Sequence, residues 1–129
     1  MSTVDPEVAE RLASELLAAI VATDVDALRR VYAPDVVIWH NFDQVEQTLD
    51  QNLKVMHWMG KVMADKSYDD IRRQPTPTGY VQQHILRGTA PDGTKVEMPA
   101  CLIVTIEGER ITRLDEYLDP AAAAALSRR

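Results

Sequence analysis

Glu116 is the residue whose position in the sequence most clearly suggests chemistry. It lies in residues 110–119, where apolar and β-branched residues predict a strand, and successive side chains of a strand point to opposite faces. Glu116 therefore shares a face with Leu114 and Leu118, which indicates the face that meets the helices. An ionised carboxylate is costly among apolar side chains, so a carboxyl group in this position suits a general acid or base. The alternative is that Glu116 lies at an exposed edge or pairs with an arginine.

His40 is the first of two histidines that could act with Glu116. It follows Val36 and Ile38 on one face of a strand predicted at residues 36–41. Because an imidazole titrates near physiological pH, His40 is a candidate base or hydrogen-bond donor if this face meets the helices. The alternative is a core histidine whose hydrogen bonds are satisfied.

His84 is the second histidine, and it is a weaker candidate. It shares a face of its predicted strand with Gln82. These two polar residues form either a polar patch inside a pocket or part of a solvated outer face, and the sequence favours neither. The residues expected to shape the pocket and bind its ligand are Trp39, Asn41, Met56, Gln82 and Cys101.

Three helices are predicted in the first half of the chain. Asp5 is expected to cap a helix over residues 6–23, where apolar residues recur every four positions. Asp24 is expected to begin a short second helix that continues through Tyr32. Asp43 is expected to cap a third. The buried side of that third helix is predicted to contain Val45, Leu49, Leu53, Met56, Gly60 and Met63.

The second half is predicted to consist of strands joined by tight turns. The predicted strands, with the earlier one, cover residues 36–41, 68–73, 80–89, 94–106 and 110–119. Gly93 and Gly108 lie in turns that join the last three strands as an antiparallel meander. Long strands twist and curl, and helices across a curled sheet leave a concave apolar pocket. The predicted fold is α+β, a cone-shaped curved antiparallel sheet with N-terminal helices enclosing a pocket, in one domain over residues 1–129.

Composition argues against several classes of partner. The chain of 129 residues carries a net charge of -6 and a pI of about 5.0, whereas nucleic acids and anionic membranes attract clustered Lys and Arg. Cys101 is the single cysteine, and the first residues lack the features of a signal peptide. No metal-ligand spacing or phosphate loop is present. We therefore expect a cytoplasmic protein with neither metal nor cofactor that binds a small hydrophobic molecule.

Three segments resemble a known superfamily when taken in order. They are ALRRVYAPDVVIWHN at residues 27–41, EGERI at 107–111 and DEYLD at 115–119. Together they resemble the nuclear transport factor 2-like superfamily, which includes ketosteroid isomerases, limonene epoxide hydrolases and SnoaL-like polyketide cyclases. The resemblance implies the cone-shaped fold and an enclosed pocket.

The resemblance also implies roles for two residues. Glu116 is similar in position to an aspartate that acts as acid or base in the cyclases and epoxide hydrolases. His40 is similar in position to the aspartate base of ketosteroid isomerases, although a register slip of one residue would put Asn41 there. An epoxide hydrolase needs an Arg and an Asp on the strand that holds His84. Gln83 and Ile85 occupy the corresponding positions here, so the resemblance does not support that activity.

These observations predict an enzyme that performs acid–base chemistry on a hydrophobic substrate. Glu116 would be the general acid or base, His40 its partner and His84 a third member. The alternative is a non-catalytic ligand-binding or protein-interaction domain of the same fold. A homodimer through the sheet is expected from the resemblance. Its apolar face would contain Met98, Ala100, Leu102 and Val104, or the residues that alternate with them.

Overall fold

The first two helices lie where the sequence predicts them. In the computed structural model, which describes residues 3–127, helix α1 spans Pro6–Ala22 and helix α2 spans Val25–Val31. The Asp5 side chain accepts a hydrogen bond from the backbone N of Glu7, and Asp24 caps α2 in the same way. Both caps satisfy amide groups that have no partner within the helix.

The first strand is longer than predicted. Strand β1 spans Tyr32–His40, so it begins where the second helix was predicted to end, and a two-residue strand β2, Glu46–Gln47, pairs with it. Pro34 lies within β1, although proline cannot donate a ladder hydrogen bond. A register irregularity between Tyr32 and Val37 accommodates it.

The predicted start of the third helix was wrong. Helix α3 spans Leu49–Val62 and is capped by Thr48, whose side chain and that of Gln51 form a capping box. The Asp43 side chain instead accepts from the backbone N of Val45 in the preceding loop. Val45 is therefore exposed rather than on the buried side of the helix.

Four long strands and a terminal 3-10 helix complete the fold. Strand β3 spans Ala64–Thr76, β4 Gly79–Thr89, β5 Lys95–Glu107 and β6 Arg110–Leu118, and the 3-10 helix spans Pro120–Ser127. Strand β3 is about twice as long as the predicted segment at residues 68–73, so the predicted turn at 74–79 shrinks to two residues. Proline is tolerated within β3 because β3 is an edge strand.

The six strands form one curved, unclosed sheet in the order β2-β1-β6-β5-β4-β3. The predicted α+β class with N-terminal helices is confirmed. All neighbouring strands are antiparallel except β1 and β6, which run parallel and place His40 opposite Glu116. Bulges interrupt the β3–β4 and β5–β6 ladders, and bulges increase the local bend of a sheet.

The apolar core lies between the helices and the inner face of the sheet. Alternation puts Met98, Leu102 and Val104 of β5 on this inner face, where they are buried. The core has two parts, one centred on α1 and the other on the end of α3 and the 3-10 helix. The candidate site lies where these two parts meet.

Candidate active site

A cavity of about 160 Å³ lies between the two parts of the core. Most of its lining is apolar, with side chains from α1, α3, the inner sheet face and the 3-10 helix. The polar residues among the lining are Tyr32, His40, Asn52, Tyr68, His84 and Glu116. An apolar pocket with a few convergent polar groups is the usual form of a small-molecule site.

Glu116 and His40 form a hydrogen-bonded pair inside this cavity. The parallel register of β1 and β6 sets the two residues side by side, and both point to the inner face. Nε2 of His40 lies 3.0 Å from Oε1 of Glu116, and the side chains are 11% and 22% exposed. Nδ1 of His40 is buried and has no hydrogen-bond partner among residues 3–127. Among these residues, Glu116 therefore provides the hydrogen bond to the imidazole, and the Phe42 ring packs against it with ring centroids 5.4 Å apart.

The pKa of His40 is raised by its partner. Burial alone would lower the pKa of an imidazole, because it penalises the charged form. The hydrogen bond from His40 to Glu116 and the negative charges of Glu116 and Asp43 together outweigh that effect. The pair is therefore coupled: the charge on Glu116 favours a proton on His40.

His84 faces the same cavity from β4 but has a different environment. Nδ1 of His84 lies 2.8 Å from Nε2 of Gln82, whose Oε1 accepts a hydrogen bond of 2.7 Å from Nε of Arg73. Burial, followed by the positive charge of Arg73, lowers the pKa of His84, although the charge of Glu116 opposes the change. His84 is therefore held neutral, whereas His40 is biased toward its charged form.

Tyr32 and Tyr68 are cavity residues that sequence reasoning missed. Burial and the nearby charge of Glu116 raise the pKa of both hydroxyl groups, so both remain protonated and able to donate. The Tyr68 ring packs edge-on against His84 with centroids 4.8 Å apart. The sequence predicts Tyr32 at a helix end, and Tyr68 lies beside bulges that break simple alternation. A tyrosine at the start of a predicted strand was the available signal.

Three of the other predicted site residues, Met56, Gln82 and Asn41, lie in three different locations. Met56 lines the cavity from α3. Gln82 is fully buried behind His84 rather than part of the lining, so its contact with a ligand is indirect. Asn41 also lies outside the lining. Its Oδ1 accepts a 2.9 Å hydrogen bond from the backbone N of Leu118, which ties the end of β1 to the end of β6.

Trp39 and Cys101 have to be reassigned. Both alternate with inner-face residues and therefore lie on the outer face of the sheet, where neither lines the cavity. Trp39 packs edge-on against Tyr117 there, with ring centroids 5.3 Å apart. Cys101 borders an open depression on the same face. Apolar character suggested a pocket role for them, but strand alternation excludes it.

The side chains of β5 that could contact a partner are those on the outer face of the sheet. Met98, Leu102 and Val104 point inward, so the residues that alternate with them form the outer surface. That surface includes Ile103 and Tyr117, which are 44% and 46% exposed, and Ile71 on β3. Of the two sets considered for a dimer face, only the alternates are exposed.

The family model for the SnoaL-like domain matches residues 13–114, from α1 to the middle of β6. The chain belongs to the SnoaL-like domain family. The match agrees with the sequence resemblance and with the cavity built from α1, α3 and the sheet. No curated protein matches the chain significantly.

Several solved structures share the fold of this SnoaL-like domain at low sequence identity. A proposed SnoaL-like polyketide cyclase from Shewanella denitrificans OS-217 is 13% identical, with a TM-score of 0.78 over 93% of this chain and 96% of that one. A protein with a ketosteroid isomerase-like fold from Catenulispora acidiphila DSM 44928, in complex with trimethylamine, is 17% identical, with a TM-score of 0.77 over 96% and 94%. A nuclear transport factor 2-like protein from Burkholderia xenovorans LB400 is 17% identical, with a TM-score of 0.75 over 98% and 99%. At these identities the likeness establishes the fold.

Within residues 3–127, no group of three or more His, Cys, Asp and Glu side chains is arranged to hold a metal ion. No helix in that part of the chain is long and apolar enough to cross a membrane.

Proposed function

We propose that this SnoaL-like protein is an enzyme that moves a proton on a small hydrophobic substrate. The observation that carries the proposal is the 3.0 Å contact between His40 and Glu116 within one largely apolar cavity. If these residues lay on opposite faces of the sheet, a binding module would be favoured. Because they share the cavity, a bound molecule can contact both.

Glu116 is the proposed general base. Its Oε1 accepts the Nε2–H of His40, and this contact fixes the carboxylate and leaves the second oxygen for the substrate. A proton removed from carbon passes to that oxygen and can return to a different atom of the same substrate. Isomerisation, cyclisation and dehydration can each use this sequence, so the pair accounts for the class of step rather than for one reaction.

The size and lining of the cavity limit the proposed substrate. A cavity of about 160 Å³ is comparable to the dry engineered cavity of about 150 Å³ that binds benzene, so a single ring fits. Phe42 and Trp58 line the cavity yet are 51% and 43% exposed, which places them at its open end. A longer substrate would extend across these two side chains.

Deuterium exchange at the carbons next to the carbonyl of cyclohexanone tests the proposal. This ketone has one ring, and the reaction requires only a base and a place to bind. We expect the wild-type protein to catalyse this exchange in D₂O, and proton NMR measures its rate. Glu116→Gln should lower the rate about 10²–10⁴-fold, the usual contribution of a positioned acid or base. The matched control is Glu107→Gln, because Glu107 is exposed at the far end of β5.

Two results would count against the enzyme. Equal rates for wild type and Glu116→Gln would remove Glu116 from the mechanism. Saturable binding of cyclohexanone without exchange above the rate in buffer would favour the second candidate, a ligand-binding domain, which the apolar cavity alone supports.

We also propose that the protein acts as a cytoplasmic homodimer. The exposed apolar side chains Ile71, Ile103 and Tyr117 lie together on the outer sheet face, and apolar patches of this kind mark association surfaces. Light scattering should give twice the chain mass of 14.5 kDa. A mass equal to one chain would contradict the dimer.

A further inference from the structure

Arg73 is a nearly buried cation that the proposed acid–base pair does not use. Its side chain on β3 is 12% exposed, and its guanidinium lies 6.0 Å from the centroid of the Tyr80 ring. One nitrogen pairs with Glu10 on the exposed side of α1. Its Nε points the other way and donates to Oε1 of Gln82 at 2.7 Å. Arg73 therefore links the surface to a side chain that is itself fully buried.

The direction of each hydrogen bond from Arg73 inward is fixed by chemistry. A guanidinium can only donate, so the group of Gln82 that faces Arg73 must be its carbonyl oxygen. The amide nitrogen of Gln82 then faces Nδ1 of His84 at 2.8 Å. An amide nitrogen can also only donate, so Nδ1 of His84 must be the acceptor. A neutral His84 then carries its proton on Nε2.

We propose that Arg73 and Gln82 are positioning residues that hold His84 as its Nε2–H tautomer, a hydrogen-bond donor to an oxygen atom of the molecule in the cavity. The role of that donor rests on the proposed function, whereas the tautomer does not. Among the described residues no hydrogen bond uses Nε2 of His84, and the ring lines the cavity. The Nε2 proton is therefore available to a ligand.

The same arrangement prevents His84 from serving as a proton carrier. A protonated imidazole would place an Nδ1–H against the NH₂ of Gln82, so that two donors would face each other. Gln82 could not turn its oxygen toward His84 without losing the hydrogen bond from Arg73, which would leave a buried guanidinium nitrogen unpaired. The charge of Glu116 from β6 favours protonation, and the Tyr68 ring covers His84 from β3. His84 and Glu116 thus have separate tasks, donor and base.

Nitrogen-15 NMR of the imidazoles tests the tautomer in the full chain. The chain has three histidines, so His40→Gln and His57→Gln assign the signals by loss. In the wild type at pH 8, Nδ1 of His84 should show the chemical shift of a bare ring nitrogen and Nε2 that of a protonated one. A protonated Nδ1, or equal populations of the two tautomers, would overturn the proposal without any reference to turnover.

Gln82→Glu should invert the tautomer. The new carboxylate still accepts from Arg73, and its second oxygen can only accept from His84, so the proton should move to Nδ1 and its signal should shift to the protonated region. Cyclohexanone exchange should fall about 10²-fold, as expected for loss of one donor to a developing oxyanion. Glu10→Gln is the matched control: it removes the negative charge of the other partner of Arg73 and should leave both the tautomer and the rate unchanged.

Each outcome distinguishes the two proposals. An inverted tautomer with no exchange activity in any variant would support the positioning role and contradict the proposed enzyme. An unchanged tautomer in folded Gln82→Glu would overturn the positioning role. If Gln82→Glu does not fold, the wild-type spectrum still decides, and Arg73→Leu should allow Gln82 to turn and produce a mixture of tautomers.

Discussion

Asn41→Ala is the substitution that most sharply separates a pocket residue from one that supports the pocket. The Oδ1 of Asn41 accepts a 2.9 Å hydrogen bond from the backbone N of Leu118. The backbone N of Asn41 donates to the carbonyl of Glu116 at 3.1 Å. These bonds join the ends of β1 and β6 immediately beyond the His40–Glu116 pair. Alanine removes the first bond and keeps the second.

The expected loss of stability follows from that single bond. The hydrogen bond is partly buried, and a protein hydrogen bond contributes about 0.5–1.5 kcal/mol to stability, with more lost where the remaining partner cannot reach water. We expect Asn41→Ala to lower the free energy of unfolding by about 1 kcal/mol. For a chain of this length, that loss corresponds to a fall in Tm of about 4 °C. Asn41→Asp retains an acceptor and should lose less.

Thermal unfolding followed by circular dichroism, with cyclohexanone exchange on the same samples, tests this account. We expect a lower Tm for Asn41→Ala, and an exchange rate that falls less than tenfold because the cavity lining is intact. An unchanged Tm with a hundredfold loss of exchange would contradict a purely supporting role for Asn41. That result would mean that Asn41 contacts the substrate, as the sequence suggested.

Three further predictions concern the histidines, the cavity and the outer face. The raised pKa of His40 stabilises the folded state below pH 6.5, and this stabilisation is lost as the pH rises through the folded pKa. The lowered pKa of His84 has the opposite effect: its contribution to stability is present above pH 6.5 and is lost as the pH falls through the folded pKa. Urea unfolding across pH 5–8 gives the difference in the free energy of unfolding between wild type and each variant, His40→Gln and His84→Gln. These two differences should change with pH in opposite directions, and a change in the same direction would contradict this. Ala100→Leu fills part of the cavity and should weaken cyclohexanone binding at least tenfold, as measured by NMR titration, and unchanged binding would place the ligand elsewhere. Cys101→Ser should leave the exchange rate within twofold of wild type, and a tenfold loss would reverse its assignment to the outer face.

Strand alternation is the part of the site that the sequence predicts well. The pattern of period two put Glu116 with Leu114 and Leu118, and His40 with Val36 and Ile38, on faces that the structure turns toward the helices. The same pattern left His84 and Gln82 undecided, because two polar residues suit either a pocket or a wet surface. In the structure both residues are buried on the inner face, where Arg73 and Tyr68 from β3 contact them.

The remaining differences have local or long-range causes. Thr48 and Gln51 form the cap of α3, and their spacing is the signature of a capping box, which is a stronger local signal than the lone Asp43. The parallel pairing of β1 with β6 is different in kind. It joins residues that are more than seventy positions apart, and no local pattern near His40 indicates that its neighbour is Glu116.

An NMR titration of His40 in the wild type and in Glu116→Gln, with Glu107→Gln as the control, tests whether His40 and Glu116 form one coupled pair in a buried cavity. Coupling predicts a pKa above 6.5 for His40 in the wild type and in the control. In Glu116→Gln the pKa should fall below 6.5, because burial remains and the nearby Asp43 is a weaker influence. A pKa of His40 that is the same in all three proteins would contradict the coupling of His40 to Glu116.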